Sequence, residues 1–165
     1  MAAPYQLDKK DKVLNILTLP EEVFVFRYAP TTPIPAGLWE GDEFCSVTKT
    51  KNELSIVAPQ KRVVDSGMPK ASAEHCGGPW NVLRVRGPLE HREYLAGSMA
   101  QWSVKSRDTL TPDMVGVMAE LARVLKEASI SIFTISTWDT DYLLVTKNTY
   151  EAAKKALEAD GWTFA

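Results

Sequence analysis

Apolar residues recur along this chain with two different periods. Short runs rich in β-branched and aromatic residues cover 22–28 and 81–86, and each run predicts a strand. Two further runs flank a polar tip within 130–145, which predicts a β-hairpin. A second pattern, with spacings of three and four, predicts an amphipathic helix whose apolar positions are Val115, Met118, Leu121, Ala122 and Leu125.

The ends of two helices carry recognisable signals. Thr111 is a good N-cap, Pro112 suits the first helical position, and Asp113 complements the positive end of the helix dipole. A later helix is predicted to be capped by Asn148 and to end at Gly161. These signals predict that the first helix starts at residues 111–112.

The remaining segments are shorter or irregular. Residues 14–19 predict a short strand closed by a proline, and 162–164 predict a last one. Segment 30–41 holds three prolines and two glycines, so it admits at most one helical turn. Segment 58–78 is rich in loop-forming residues and is predicted to be a loop between two lobes.

The strand and hairpin patterns occur twice. Residues 44–57 align without a gap on 132–145, and 23–30 align on 81–88. This repetition predicts an internal duplication. The predicted fold class is α+β, with two tandem ferredoxin-like βαββαβ lobes at 13–70 and 79–165. The first lobe has reduced helices, and the second carries an insertion at about 90–110 that is either a lid or a surface ornament.

Composition narrows the classes of partner. The chain has 165 residues, of which 45% are hydrophobic and 24% charged, with a net charge of -2. Nucleic-acid-binding proteins have a clear basic excess, so we expect no nucleic-acid partner. No apolar run approaches the roughly 18 residues that a membrane span needs, so we expect no membrane partner. With two cysteines and no signal-peptide pattern, we expect a cytoplasmic protein with free thiols.

Motifs typical of enzymes do not occur in the sequence. There is no nucleophile elbow, P-loop or zinc-protease motif, and two histidines with two scattered cysteines cannot easily build a metal site. We therefore predict no catalytic residue, no metal and no cofactor. A small enzyme using the pocket beside the second hairpin is the less favoured alternative.

The motifs together resemble a known family. They are Gly87-Pro88-Leu89 after a strand, the hairpin phrase Ile130-Ser131-Ile132-Phe133-x-Ile135-Ser136-Thr137-x-x-x-Asp141-Tyr142-x-Leu144-Val145, and its earlier counterpart Phe44-x-Ser46-Val47-Thr48-x-Thr50-x-x-Glu53-Leu54-Ser55-Ile56-Val57. The set resembles tandem ACT-domain proteins, in particular the CASTOR-type ACT family and its small bacterial relatives. The resemblance implies a regulatory module that binds an amino acid or similar small molecule, a homodimer, and a protein partner.

The resemblance also implies where the ligand lies, between paired ACT units. The implied positions are Thr111, Pro112, Asp113 and Met114 at the helix start, Ser131 and Ile132 on the strand, and Thr137, Trp138 and Asp141 at the hairpin tip. A helix N-terminus suits a carboxylate, and the Asp141 carboxylate suits an ammonium.

Structural roles are the alternative for each of these residues. Thr111 then only caps its helix, Trp138 packs on a neighbour, and Asp139 and Asp141 bind backbone amides of the turn. The alternative function is an interaction or structural module with a vestigial pocket.

Overall fold

The computed structural model describes residues 7–87 and 116–165, which form an α+β protein with antiparallel strand pairing and few helices. The strands are β1 (Ile16–Thr18), β2 (Val23–Tyr28), β3 (Ser46–Lys49), β4 (Leu54–Ala58), β5 (Cys76–Val85), β6 (Ile132–Ser136) and β7 (Asp141–Thr146). The helices are α1 (Gln60–Asp65), α2 (Val117–Glu127) and α3 (Tyr150–Ala159). The chain divides into two compact units, Leu19–Val82 with Leu144–Tyr150, and Met1–Thr18 with Leu83–Leu143 and Glu151–Ala165.

The unit containing Leu19–Val82 holds four antiparallel strands in the order β3-β4-β2-β5. Val47 lies opposite Ile56, and Ile56 in turn lies opposite Phe26. The crossover from β2 to β3 contains a single 3-10 turn, Ala36–Trp39. Its Leu38 is fully buried and joins a core with six other residues: Phe26, Leu54, Ile56, Ala58, Val63 and Met68.

One arginine holds this short crossover in place. The side chain of Arg62 on α1 is only 8% exposed. It donates hydrogen bonds to three backbone carbonyls, from Nε to Leu38 at 2.9 Å, from Nη1 to Glu43 at 2.6 Å and from Nη2 to Gly41 at 3.4 Å. A short irregular segment has few backbone partners for its carbonyls, and the Arg62 guanidinium supplies donors to three of them.

The other unit pairs β1 with the second half of β5 and ends at β6, whose neighbour is β7. Ile16 lies opposite Val85, and a parallel bridge joins Ile16 to Phe164 near the C-terminus. The apolar faces of α2 and α3 supply fully buried side chains, among them Leu121, Leu125 and Leu157. This order of strands and helices is consistent with ferredoxin-like ACT folds.

Several sequence predictions are confirmed. Both hairpins form, with β3 and β4 within 44–57 and β6 and β7 within 130–145. Segment 30–41 holds the one 3-10 turn it allows. Helix α3 ends at Ala159 and is followed by the predicted Gly161, which has a φ of 97°, and the Trp162 amide donates to the Leu157 carbonyl at 3.0 Å. A glycine with positive φ satisfies the last carbonyls of a helix in this way.

The predicted loop at 58–78 is wrong in two places. Residues 60–65 form α1, in which Val63 is buried and the hydroxyl of Ser66 donates to the Val63 carbonyl at 2.8 Å. Pro59 precedes the helix, where its fixed φ is compatible with helix initiation. The Gly77-Gly78-Pro79 sequence lies inside β5, because pairing of Cys76 with Phe26 extends this strand towards the N-terminus.

One of the two predicted helix starts differs from the structure, and the other lies outside the described residues. Among the described residues helix α2 begins at Val117, and Gly116 at its N-cap has a φ of 86°, a left-handed conformation that suits glycine. The predicted start at Thr111 and the insertion at 90–110 lie outside the described residues. Helix α3 follows directly on a 3-10 turn, Lys147–Thr149, so Asn148 lies within that turn and Thr146 caps it.

Candidate functional site

The tip between β6 and β7 is a closed turn. The amide and the hydroxyl of Thr137 both donate to the carbonyl of Thr140, each at 2.9 Å. Between them, Asp139 is exposed and Trp138 is 81% exposed. The turn is therefore closed by the two threonines, so neither aspartate is needed to form it.

Thr140 anchors this tip to the unit's central strand. Its side chain is 3% exposed, and its hydroxyl donates to the carbonyl of Val85 on β5. Sequence reasoning named the residues on either side of Thr140 but missed Thr140 itself. The available signal was a threonine, rather than glycine or asparagine, in a tight polar turn, which indicates that the hydroxyl has a partner.

Asp141 is the first residue of β7 and is half-buried. Within 7–87 and 116–165, neither its carboxylate nor that of Asp139 makes a hydrogen bond or ion pair. The alternative in which Asp141 binds the turn amides gains no support from these contacts. A half-buried carboxylate and an exposed indole at the same hairpin tip are groups chemically suited to binding an ammonium.

The predicted ligand positions fall into separate groups. Ser131 is exposed and immediately precedes β6, and Ile132 is its half-buried first residue. Thr137, Trp138 and Asp141 lie at the opposite end of β6, about 20 Å from Ser131 at ~3.3 Å per residue. One small molecule cannot touch both groups within a single chain. Thr111, Pro112, Asp113 and Met114 lie outside the described residues.

Strand β6 is poorly covered for a strand of its composition. It holds three apolar residues among five, yet none of the five is buried, and Phe133 is 38% exposed. By contrast, three residues of the neighbouring β7 are buried. No charged residue or proline lies within Ile132–Ser136, although exposed edge strands commonly carry such residues to prevent pairing.

A cluster of ion pairs joins α2 to the residue that follows α3. Arg123 on α2 donates to Asp160 after α3 at 2.9 Å and also pairs with Glu120 and Glu127. The ammonium of Lys9 pairs with Asp160 as well. Burial raises the pKa of Asp160, but hydrogen bonds from Lys9 and Arg123 outweigh that effect, so its pKa lies below the ordinary value. This cluster joins α2, the end of α3 and Lys9 near the N-terminus, and we interpret its role as structural.

Neither cysteine is set up as a nucleophile. Burial raises the pKa of both Cys45 and Cys76, so both favour the unreactive thiol. No group of three or more His, Cys, Asp or Glu within the described ranges could hold a metal ion. No helix in those ranges is both long and apolar enough to cross a membrane.

Solved structures share this fold. The crystal structure of the protein Atu0741 from Agobacterium tumefaciens is 22% identical, covers 92% of this chain and 91% of its own, and superposes with a TM-score of 0.60. The structure of VC0802 from Vibrio cholerae, described as a protein of unknown function and possible transport protein, is 14% identical, with coverages of 90% and 93% and a TM-score of 0.57. No curated protein matches the sequence.

A family of domains matches part of the sequence directly. The match covers residues 103–159, which include α2, the β6–β7 hairpin and nearly all of α3. The candidate tip, from Thr137 to Asp141, therefore lies inside the matched region. The family that residues 103–159 match is the ACT domain.

Proposed function

We propose that this protein is a non-catalytic regulatory module that binds a free amino acid at the β6–β7 tip. The observation that carries the proposal is the Asp141 carboxylate, which is half-buried and has no hydrogen bond or ion pair among the described residues. It lies beside the exposed Trp138 inside an ACT domain, a class with a regulatory, small-molecule-binding role.

Each group of an amino acid has a suitable receptor in this proposal. Asp141 binds the ammonium, since a charge-assisted hydrogen bond to a carboxylate is among the stronger polar contacts. Trp138 covers the ligand side chain, whether that side chain is apolar or cationic. The ligand carboxylate is assigned to the segment of Thr111, Pro112, Asp113 and Met114. The backbone N–H groups of Thr111, Asp113 and Met114 would be its donors, since Pro112 has none.

We further propose that the protein is a homodimer joined through β6. Its uncharged sequence allows two copies to lie side by side without like-charge repulsion. Among the described strands β6 has a neighbour on one side only, so its other edge can offer backbone donors and acceptors to a second strand. The opposite edge strand, β3, ends in Lys49 and leads to Lys51, and charges of this kind disfavour pairing.

A dimer of this kind would bring the separated ligand positions together. In an antiparallel β6 pair centred on Thr134, Ser131 lies opposite Thr137 of the partner subunit. Ile132 then lies opposite Ser136 of the partner subunit. The two ends of β6 lie about 20 Å apart in one chain. In the dimer, each end of β6 would lie next to the opposite end of β6 in the other copy, which gives two equivalent sites. This geometry supports a ligand site shared by two copies.

The wider assignment to tandem CASTOR-type ACT proteins is also a proposal. It rests on the equal length of the turns that join β3 to β4 and β6 to β7. It includes the proposal that the two lobes span 13–70 and 79–165. We propose a cytoplasmic location, because Cys45 and Cys76 are both free, as is usual in a reducing compartment.

A thermal-shift screen of the twenty amino acids at about 1 mM tests the binding proposal, because a ligand that binds only the native state raises the melting temperature. Asp141→Asn keeps the side chain's shape and removes its charge, and it should weaken binding about tenfold or more. Asp139→Asn is the matched control and should bind normally. A shift retained in Asp141→Asn would remove Asp141 from the site.

A screen in which no amino acid raises the melting temperature would favour the interaction module instead. The interaction module is supported by the 81% exposure of Trp138, because tryptophan is enriched at protein interfaces. Capture of a partner by the native protein, and its loss in Trp138→Ala, would then be the expected result.

Sedimentation tests the dimer separately. Thr134→Lys places two positive charges opposite each other at the two-fold axis and should give a monomer. Thr48→Lys, at an exposed position of β3, is the control and should leave the dimer intact. A wild-type protein that remains monomeric at high concentration would contradict the dimer.

A further inference from the structure

A network of four polar side chains connects three segments of the unit that contains Leu19–Val82. The hydroxyl of Ser72 lies 3.1 Å from Nδ1 of His75, at the two ends of the segment around the 3-10 turn Ala73–His75. Nε2 of His75 lies 3.3 Å from Nη1 of Arg27 on β2. Arg27 in turn donates from Nε to the carboxylate of Glu53 at 3.1 Å.

The direction of these hydrogen bonds follows from the chemistry of arginine. A guanidinium carries only donors, so in this contact Nε2 of His75 must be the acceptor. A neutral imidazole with an accepting Nε2 carries its proton on Nδ1 and donates it to the hydroxyl oxygen of Ser72. His75 therefore cannot take a proton from Ser72 in this arrangement, so the pair is not an activated nucleophile.

We propose that His75 is a pH-sensitive latch that holds the Ala73–His75 turn against β2. Protonation converts Nε2 from an acceptor into a donor and places a positive charge beside Arg27. The contact therefore exists only while the imidazole is neutral. Histidine as a residue type commonly changes charge between pH 5 and 8, so this is the pH range in which the latch is tested.

The latch lies at the start of a central strand. His75 directly precedes Cys76, the first residue of β5, which lies opposite Phe26 on β2. Release of the turn removes the constraint on this end of β5. We infer that mild acid loosens the first residues of the strand while the core beneath it stays packed.

Other titratable groups near His75 determine how specific this response is. Arg27 faces it from β2, Glu53 acts through Arg27, and Glu74 neighbours it within the turn. Burial raises the pKa of both Tyr28 on β2 and Cys76 on β5, so these two groups stay neutral between pH 5.5 and 7.5. Within this set, His75 is the side chain whose change of charge opens the contact.

Nitrogen NMR of the full-length protein tests the assignment of the proton. Two-bond proton–nitrogen spectra at pH 7.5 should show His75 as the neutral Nδ1–H tautomer. A neutral Nε2–H tautomer would overturn the proposal, because Nε2 could not then accept from Arg27. A doubly protonated imidazole at that pH would overturn it equally.

Amide hydrogen exchange tests the opening itself. After correction for the intrinsic pH dependence, protection of the His75 and Cys76 amides should fall about two- to tenfold between pH 7.5 and 5.5, as expected for loss of one exposed hydrogen bond. His75→Gln should abolish the pH response. His91→Gln alters the chain's other histidine and should retain it. A constant protection factor in the wild type, or a response that His91→Gln removes, contradicts the latch.

Discussion

Replacing Thr140 by valine tests how the candidate site is held on the fold. The substitution keeps the β-branched shape and removes only the hydroxyl, which is buried and donates to the carbonyl of Val85. No cavity forms, because the two side chains have nearly the same volume. The substitution therefore removes one buried hydrogen bond and leaves the Val85 carbonyl without this donor.

The expected cost follows from the burial of that pair. An average intramolecular hydrogen bond contributes about 1 kcal/mol net, and a buried partner left unsatisfied costs about 1–3 kcal/mol. Thr140 is 3% exposed, so water cannot readily replace its hydroxyl. We expect the free energy of unfolding of Thr140→Val to fall by about 1–3 kcal/mol. Amino-acid binding should weaken as well, because the tip loses its anchor on β5.

Urea unfolding followed by circular dichroism measures the effect as a change of midpoint at constant slope. Thr48→Val is the matched control, since Thr48 is exposed on β3, away from the proposed dimer contact, and surface substitutions usually change stability by less than about 0.5 kcal/mol. Equal midpoints for the two variants would refute the anchoring role of Thr140.

The remaining predictions concern the Arg62 hydrogen bonds and the ion-pair cluster around Asp160. Arg62→Met removes hydrogen bonds to three carbonyls, so the free energy of unfolding should fall by about 2–4 kcal/mol in the same assay. Lys61→Met breaks only an exposed ion pair and should leave the urea midpoint nearly unchanged. Equal losses would contradict this. The lowered pKa of Asp160 means that its contribution is present above the ordinary pKa of about 3.9 and disappears as the pH falls through its lower folded value. Asp160→Asn should therefore flatten the acid limb of stability below about pH 4, and an unchanged acid limb would count against the cluster.

The local signals in the sequence predicted the hairpins well. Residues 44–57 and 132–145 each combine apolar runs with a short polar turn, and both signals lie within the segment that folds. Gly161 likewise ended α3 as predicted, because a C-cap glycine acts through its own φ.

Non-local pairing explains the errors in 58–78. Gly77-Gly78-Pro79 has the composition of a loop, and it becomes part of β5 only because β2 lies alongside. Loop-forming residues such as Gly67 and Pro69 dominated the prediction for the whole segment, yet residues 60–65 form α1 and bury Val63 in the core. Such contacts cannot be recognised from a window of neighbouring residues.

Only those site residues that carry a local signal could be predicted from the sequence. Trp138 and Asp141 stood out because a strand has no need of them at a polar tip. Thr140 did not, because its partner Val85 is 55 positions away in the sequence. The roughly 20 Å between Ser131 and Thr137 follows directly from the strand spacing, but it becomes important only once β6 is seen as an exposed edge.

Backbone NMR titration with amino acids tests the central claim most directly. Proton–nitrogen spectra would be recorded for the native protein with each amino acid at about 1 mM. We predict that at least one amino acid shifts the Trp138 indole signal and the amides of Thr137 and Asp141 together with those of Ser131 and Ile132, and that Asp141→Asn suppresses these shifts. Spectra unchanged by all twenty amino acids, or shifts confined to residues away from both ends of β6, would contradict an amino-acid site at the hairpin tip.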